Sequence, residues 1–188
     1  MNTYDFDKTI FYPDSSATFF RYCLRRYPFA VIKTLPYSLW LTIRYAFGTL
    51  ETKRLKQQLF SFLADIPDVD GTVTDFWRAN RFRIGQWYLD QKQSDDVIIS
   101  ASPEFLLRPL CEELGVHLIG TQMDKHSGVI SGNNCHDVEK VSRFQAQFPV
   151  VRPHAFYSDS LSDSPMAALS CQAYLVKKHQ ILPWPNQK

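Results

Sequence analysis

Two acidic residues near the amino terminus are the first candidates for chemistry. Asp5 and Asp7 belong to the pentapeptide DFDKT at 5–9, where a short predicted strand ends. Residues two apart in an extended chain point to the same side, so the two carboxylates would share one side. One carboxylate can then attack a substrate while its neighbour transfers protons. An acidic turn after a strand is the alternative interpretation of this segment alone.

A second candidate follows the apolar run at 97–99. Ser100, Ala101 and Ser102 precede Pro103 in this segment. A serine before a proline is typical of a helix start, with the serine as cap and the proline at the first helical position. The amino end of a helix after a hydroxyl-bearing turn is suited to binding a phosphate. Plain capping by Ser102 is the simpler interpretation of the segment alone.

A lysine and two aspartates later in the chain have chemistry that suits the same kind of site. Lys140 lies on a predicted helix, and an ammonium group can neutralise a phosphoryl group. Asp159 and Asp163 follow a predicted strand, and with Asp5 they can converge on a cation such as Mg²⁺, which prefers carboxylate oxygens. The alternatives are a solvated helix lysine and a carboxylate at a helix amino terminus.

The spacing of apolar residues predicts the elements that position these side chains. Residues 1–12 predict a short strand and a turn, and further strands are predicted at 97–99, 116–120, 155–157 and 173–176. Helices are predicted between these strands, at 103–114, at 137–148 and from Pro165 onward. This alternation is typical of a parallel sheet with helices on both faces. Active sites of such sheets lie beyond the carboxyl ends of the strands.

The segment between the first two strands predicts helices only. Apolar residues recur there at intervals of three and four, and prolines divide the segment into short helices. We therefore expect a core of residues 1–12 and 94–188, with a helical cap of residues 13–93. The most membrane-like stretch, 29–50, contains Lys33, Pro36 and Arg44, which favours buried or interfacial helices over a membrane span.

The composition excludes several classes of protein. A formal net charge of +2 with no basic stripe predicts that nucleic acid is not a partner. The basic cluster at 53–56 is interpreted as a solvated helix face. Four scattered cysteines lack zinc-ligand spacing and are typical of a reduced, cytoplasmic protein. Polar Asn2, Thr3 and Asp5 stand where the apolar stretch of a leader peptide would be, so we expect no leader peptide. Stable membrane insertion is not expected either, because of the charges and proline within 29–50.

In combination, the four motifs resemble those of the haloacid dehalogenase (HAD) superfamily. The resemblance covers nearly the whole chain, and the helical insert is similar to the cap of the phosphoserine phosphatase-like branch. It implies an α/β fold, a three-layer α/β/α Rossmann-like HAD core with a parallel sheet, plus an all-helical cap inserted after the first strand.

The resemblance also implies a role for each motif residue. Asp5 would attack phosphorus to form an aspartyl phosphate, and Asp7 would protonate the leaving alcohol and later activate water. Mg²⁺ would be held by Asp5, the main-chain carbonyl of Asp7 and Asp159, with Asp163 steadying the metal and its waters. The phosphoryl oxygens would be held by Thr9, Ser100, Ala101 and Lys140. An acid at position 7 favours phosphate ester cleavage over dehalogenation, because only the ester needs a leaving-group acid.

The predicted activity is magnesium-dependent hydrolysis of a small phosphate monoester. By resemblance, Asp14, Gln57 and Ser162 stand where the phosphoserine phosphatase-like branch reads its substrate. Aromatic residues between 37 and 47 either pack within the cap or form an apolar roof. Two alternatives therefore remain, a phosphatase for a lipid-like head-group phosphate and a non-catalytic HAD-fold binding protein.

Overall fold

One six-stranded sheet forms the centre of the protein. The computed structural model describes residues 1–178 and 180–185, so His179 and residues 186–188 of the predicted core lie outside the described residues. The strands are β1 Thr3–Tyr4, β2 Val97–Pro103, β3 His117–Thr121, β4 Ala155–Ser158, β5 Gln172–Lys177 and β6 Gln180–Pro183. Their order is β3-β2-β1-β4-β5-β6, with β1 to β5 parallel and β6 antiparallel beside β5.

Most helices of the described residues lie between β1 and β2. The α-helices are α1 Ser15–Arg26, α2 Pro28–Ile32, α3 Leu35–Ala46, α4 Thr52–Phe60, α5 Val69–Asn80, α6 Gln86–Gln91, α7 Glu104–Leu114, α8 Val138–Gln147 and α9 Ser164–Leu169. Short 3-10 helices occur at Ser61–Asp65, Arg81–Arg83 and Leu161–Asp163. Within the described part of the chain, no helix combines the length and apolarity that crossing a membrane requires.

The two faces of the sheet carry separate apolar clusters because successive strand residues point to opposite faces. Tyr4 and Ile98 belong to the cluster that includes Leu107 of α7. On the other face, Val97 packs in the cluster that includes Phe144 of α8. The three layers of the predicted α/β fold class are thereby confirmed.

The last part of the predicted cap packs on the sheet itself. The ring of Tyr88 in α6 lies 4.9 Å from the ring of Tyr4, centroid to centroid. In α5, the Trp77 indole nitrogen donates a hydrogen bond to the Leu106 carbonyl of α7 at 2.6 Å. Helices α5 and α6 therefore help to cover the face that α7 covers. The division into a core and a cap at 13–93 stays a prediction.

Candidate active site

The parallel register brings the predicted residues to one edge of the sheet. Tyr4 pairs with Ile98 of β2 and with Tyr157 of β4. The Asp5 amide continues this ladder by donating to the Tyr157 carbonyl at 2.8 Å. The next residues of all three strands therefore emerge together at the carboxyl edge, where ligands of such sheets bind.

The chain turns directly after Asp5. The Phe6 carbonyl accepts hydrogen bonds from the amides of Ile10 and Phe11, and Lys8 has a φ of 60°. The extended segment predicted to carry both Asp5 and Asp7 is therefore wrong beyond β1. Asp7 reaches the site from a tight turn, because the main chain folds back within the DFDKT motif.

Lys140 is buried between two carboxylates. Its Nζ lies 2.7 Å from Asp5 Oδ1 and 2.8 Å from Asp163 Oδ2, and its side chain is only 2% exposed. Since unpaired charges are costly in an interior, this geometry excludes a solvated helix lysine. Although burial opposes it, the two carboxylates raise the pKa of Lys140, so the side chain remains an ammonium group.

Asp163 is not a helix cap. It precedes α9, but its side chain makes no capping hydrogen bond. Its Oδ2 accepts from Ser158 Oγ at 2.7 Å as well as from Lys140. Its Oδ1 is buried and has no hydrogen-bond partner among the described residues. A buried carboxylate oxygen of this kind can bind a cation or accept a hydrogen bond from a cation-bound water.

Thr9 links the ends of β1 and β4. Its hydroxyl accepts from the Asp159 amide at 2.9 Å and lies 3.4 Å from Asp5 Oδ2. Asp159 is partly buried. Burial raises the pKa of Asp159, against the opposing charges of Lys8 and Lys177.

Serine hydroxyls surround Asp7. Ser102 Oγ donates to Asp7 Oδ2 at 2.5 Å, and the Ser15 amide donates to Oδ1 at 2.6 Å. Ser102 Oγ also lies 3.0 Å from Ser15 Oγ and 2.9 Å from Ser16 Oγ. Helix α7 begins after Pro103 without a side-chain cap, so the capping interpretation of Ser102 is wrong.

The predicted phosphate-binding residues of β2 lie beside Ser102. Ser100 is buried, and its hydroxyl accepts from the Ser102 amide at 3.1 Å. The Ala101 carbonyl accepts hydrogen bonds from Lys56 Nζ and, at 2.6 Å, from Thr121 Oγ1. These bonds fix the main chain where β2 leaves the sheet.

Burial shifts the titration of the two catalytic candidates. Burial raises the pKa of Asp5 to about 7, Lys140 opposes this, and the charge of Asp163 adds to it. Burial also raises the pKa of Asp7, with the Asp14 charge adding and the Ser102 hydrogen bond opposing. A carboxyl that retains a proton more readily than usual is suited to protonating a leaving group.

A cavity of about 570 Å³ opens beside Asp7. Asp7 and Ser102 line it from the sheet edge, and Asp14, Arg21 and Lys56 add charged groups from the helices. The helices contribute the apolar residues Ala17, Phe20, Leu55, Leu59 and Phe60 to its lining, and Tyr45 and Thr52 also line it. Helices α1, α3 and α4 thus form the roof over the carboxyl edge.

Lys56 is the functional candidate that sequence reasoning missed. Its cluster at 53–56 is not a solvated helix face throughout, because Lys56 donates to Ala101 and, at 3.2 Å, to Asn134 Oδ1. Burial lowers the pKa of Lys56 to about 8. Nothing in the sequence separates Lys56 from its neighbours Lys53 and Arg54, since each is a cation on the same short helix.

The three predicted specificity residues lie in different surroundings. Asp14 lines the cavity and caps α1 by accepting from the Ala17 amide at 2.8 Å. Gln57 points instead to the 122–131 loop, where its Oε1 accepts from the Ile130 amide at 3.3 Å. Ser162 is exposed, and its hydroxyl lies 2.8 Å from Ser160 Oγ.

The sequence model of the family described as haloacid dehalogenase-like hydrolase matches residues 3–168. The chain therefore belongs to this family, and the predicted recognition is confirmed. The prediction of an enzyme of the HAD type agrees with this membership. Among curated proteins, Protein CicA of Caulobacter vibrioides strain NA1000 / CB15N is 28% identical over 180 residues, covering 89% of this chain and 81% of that protein.

Several solved structures share the fold. A protein of unknown function from Bordetella pertussis Tohama I has a TM-score of 0.75 at 20% identity, covering 92% of this chain and 87% of that chain. A phosphoserine phosphohydrolase-like protein from Francisella tularensis SCHU S4 has a TM-score of 0.60 at 13% identity, covering 95% and 88%. A phospho-aspartyl intermediate analogue of phosphoserine phosphatase has a TM-score of 0.53 at 14% identity, covering 91% and 83%.

Proposed function

We propose that the protein is a phosphatase that hydrolyses a phosphate monoester through an aspartyl phosphate on Asp5. The observation that carries this proposal is the buried Lys140 ammonium group held against Asp5 and Asp163. A carboxylate attacks a phosphate poorly unless a cation offsets the repulsion between them. Lys140 supplies such a cation directly at the attacking group.

Asp5 and Asp7 divide the reaction between them. A carboxylate oxygen of Asp5 forms a bond to phosphorus while the bond from phosphorus to the leaving oxygen breaks. Asp7 donates a proton to that oxygen, so a neutral alcohol leaves. In the second half, Asp7 takes a proton from water as the water oxygen bonds to phosphorus, and Asp5 is released with inorganic phosphate. Ser100 and Lys140 hold the phosphoryl oxygens in this proposal, with Thr9 and the main chain at Ala101.

The residues at the carboxyl edge fit a hard divalent cation, which we propose to be Mg²⁺. No cluster of three or more His, Cys, Asp or Glu residues suited to a metal occurs in residues 1–178 and 180–185. The proposed set needs only two carboxylates, from Asp5 and Asp159, together with the Asp7 carbonyl, waters and substrate oxygens. The unpartnered Asp163 Oδ1 supports it, because a hydrated cation would satisfy that buried oxygen. Bound Mg²⁺ would supply charge neutralisation at the phosphoryl group.

The cavity supports a small phosphate monoester as the substrate. Asp14 and Lys56 bring charges of opposite sign to its wall, which suits a leaving group that is itself charged. One of the similar structures is described as a phosphoserine phosphohydrolase-like protein, and another as an intermediate analogue of phosphoserine phosphatase. The apolar lining around Phe20 and Leu59 favours a second candidate, a lipid-like head-group phosphate, since acyl or glyceryl carbon could pack there.

The substitution Asp5→Asn tests the proposed nucleophile. We expect it to abolish hydrolysis of an aryl phosphate in magnesium buffer, because the neutral amide cannot form the acyl phosphate. The exposed Asp90 provides a matched control, so Asp90→Asn should keep wild-type turnover. Unchanged turnover by Asp5→Asn would contradict the mechanism. A wild-type protein inactive toward phosphoserine, sugar phosphates and lysophospholipid phosphates would favour a binding role instead.

A further inference from the structure

Helices α2 and α3 present large apolar side chains to the outside. Phe29 is 88% exposed, Phe47 is 80% exposed and Leu39 is 64% exposed. We call the α2–α3 surface the set Phe29, Ile32, Leu39, Trp40, Ile43 and Phe47, all of which are exposed. So many exposed large apolar side chains on two neighbouring helices are atypical of a surface that faces only water.

Helix α3 turns a partly polar side toward the protein. The side of the helix that faces the protein carries Thr34 and Ser38 together with Leu41, and all three are buried. The two hydroxyls donate to main-chain carbonyls of the preceding turn, each at 2.8 Å. The polar side of α3 thus faces inward and the aromatic side faces outward, the reverse of a helix on a water-soluble domain. This arrangement is stable if the outer side meets another apolar phase.

The charge of the α2–α3 surface indicates which kind of apolar partner would cover it. Residues 28–47, which form this surface, contain two cations, Lys33 and Arg44, and no acidic residue. Lys33 pairs with Asp65 beside the surface, and Arg44 lies over the Trp40 ring. A contact between two copies of this surface would bring the same cations face to face. An anionic lipid surface instead offers negative charge beside an apolar interior.

The aromatic residues suit the boundary between lipid head groups and acyl chains. The Trp40 ring stacks on Tyr37 at a centroid distance of 5.6 Å, and the Arg44 guanidinium lies 5.1 Å from the Trp40 centroid. Tryptophan, tyrosine and arginine together are typical of that boundary. A helix of 12 residues is about 18 Å long, against about 30 Å for a hydrocarbon core, so α3 would lie along the surface.

We infer that the α2–α3 surface docks the protein peripherally on an anionic lipid bilayer, with α3 lying in the interface. Tyr45 at the end of α3 is exposed and also lines the cavity beside Asp7. Docking therefore brings the mouth of the cavity to the level of the head groups. The inference goes beyond the proposed hydrolysis, because binding to a bilayer does not require Asp5.

Co-sedimentation with vesicles tests this inference. Wild-type protein should bind vesicles that contain phosphatidylglycerol and bind vesicles of pure phosphatidylcholine weakly. The double substitution Trp40→Ser, Phe47→Ser should reduce the partition coefficient about tenfold or more, because two large apolar groups no longer enter the bilayer. Phe82→Ser provides a matched control, since Phe82 is 76% exposed on a different part of the protein. Its binding should equal that of the wild type.

Each other outcome counts against the inference. Equal binding by the double variant and the wild type, or no binding to either vesicle, would overturn it. A wild-type dimer by light scattering that becomes a monomer in the double variant would assign the surface to a second copy. The variant should keep the wild-type circular dichroism spectrum, because its side chains are exposed. Asp5→Asn should bind vesicles like the wild type, so failed docking and failed hydrolysis are distinguishable.

Discussion

Lys140 holds together carboxylates that would otherwise repel one another. Asp5 and Asp163 are both buried and both contact its ammonium group. The cost of burying Lys140 and the two carboxyl groups is offset only while all the contacts are intact. Catalytic positioning and stability are therefore coupled at this one side chain.

Substitution of Lys140 by methionine should lower the free energy of unfolding by about 3–5 kcal/mol, because two carboxylates lose their buried cation. Urea denaturation measures this change. Adding Asp163→Asn should restore part of the loss by removing one of the uncompensated charges. The exposed Arg54 offers a control, and Arg54→Met should change stability little. Additive losses in the double variant would mean that the two groups are not coupled.

Ser102 should act as a positioning residue for Asp7. The Ser102 hydroxyl donates to Asp7 Oδ2. The Ser16 hydroxyl forms a hydrogen bond with the Ser102 hydroxyl, one step further from Asp7. Ser102→Ala should lower kcat about tenfold to a hundredfold with little change in KM, since a hydrogen bond to a charged group contributes about 1.5–3 kcal/mol. Ser16→Ala should cost less. A fall in KM alone, or equal effects of the two substitutions, would contradict this role.

Lys56 should make substrate binding depend on pH. Its pKa is lowered to about 8, so the ammonium group loses its proton as the pH rises through that value. The KM for a dianionic ester should therefore rise between about pH 7 and 9, as a cation in the cavity wall becomes neutral. Lys56→Met should have a higher KM at pH 7 and lack this rise. An identical pH profile in the variant would exclude Lys56 from substrate binding.

At the scale of elements, the loop after β3 attaches α4 to the core. Ile130 donates to Gln57, and Lys53 donates to the Gly132 carbonyl. Asn134 accepts from both Lys56 and Thr121. The position of Lys56 over the cavity thus depends on contacts between α4 and a distant part of the chain.

Gly128 in this loop packs closely against Phe60 at the end of α4. It has a φ of 74°, and a Cβ there would lie 2.7 Å from the Phe60 carbonyl oxygen. Gly128→Ala should destabilise the protein by more than 2 kcal/mol, since the strain of the left-handed conformation adds to a main-chain clash. Gly115 has a φ of 68° and open space around it, so Gly115→Ala should cost only about 1 kcal/mol. Equal changes in thermal unfolding would show that Phe60 moves aside.

At the scale of the whole molecule, the carboxyl edge has more acidic groups than its buried cation can neutralise. Asp5 and Asp163 contact Lys140 there, and the charges of Asp163 and Lys140 also act on Asp159. A cation that binds only the folded state raises the melting temperature by mass action. Mg²⁺ should therefore raise the melting temperature, and a chelator should reverse the rise. Asp159→Asn should weaken the response, whereas the exposed Asp90→Asn should keep it. No response in the wild type would contradict the proposed metal site.

The antiparallel strand β6, Gln180–Pro183, is not predicted by the sequence, which ends the sheet at 173–176. The motif residues, the family and the order of strands and helices from β2 to β5 are evident from the sequence alone. Those features depend on local spacing, and a parallel sheet places residues that follow its strands at one edge. Tertiary contacts alone place Lys56 rather than Gln57 in the cavity wall, and they bring Ser102 to Asp7 instead of to the cap of α7. They also turn Thr34 and Ser38 of α3 inward. These choices depend on which side of each helix meets distant parts of the chain, which local spacing does not encode.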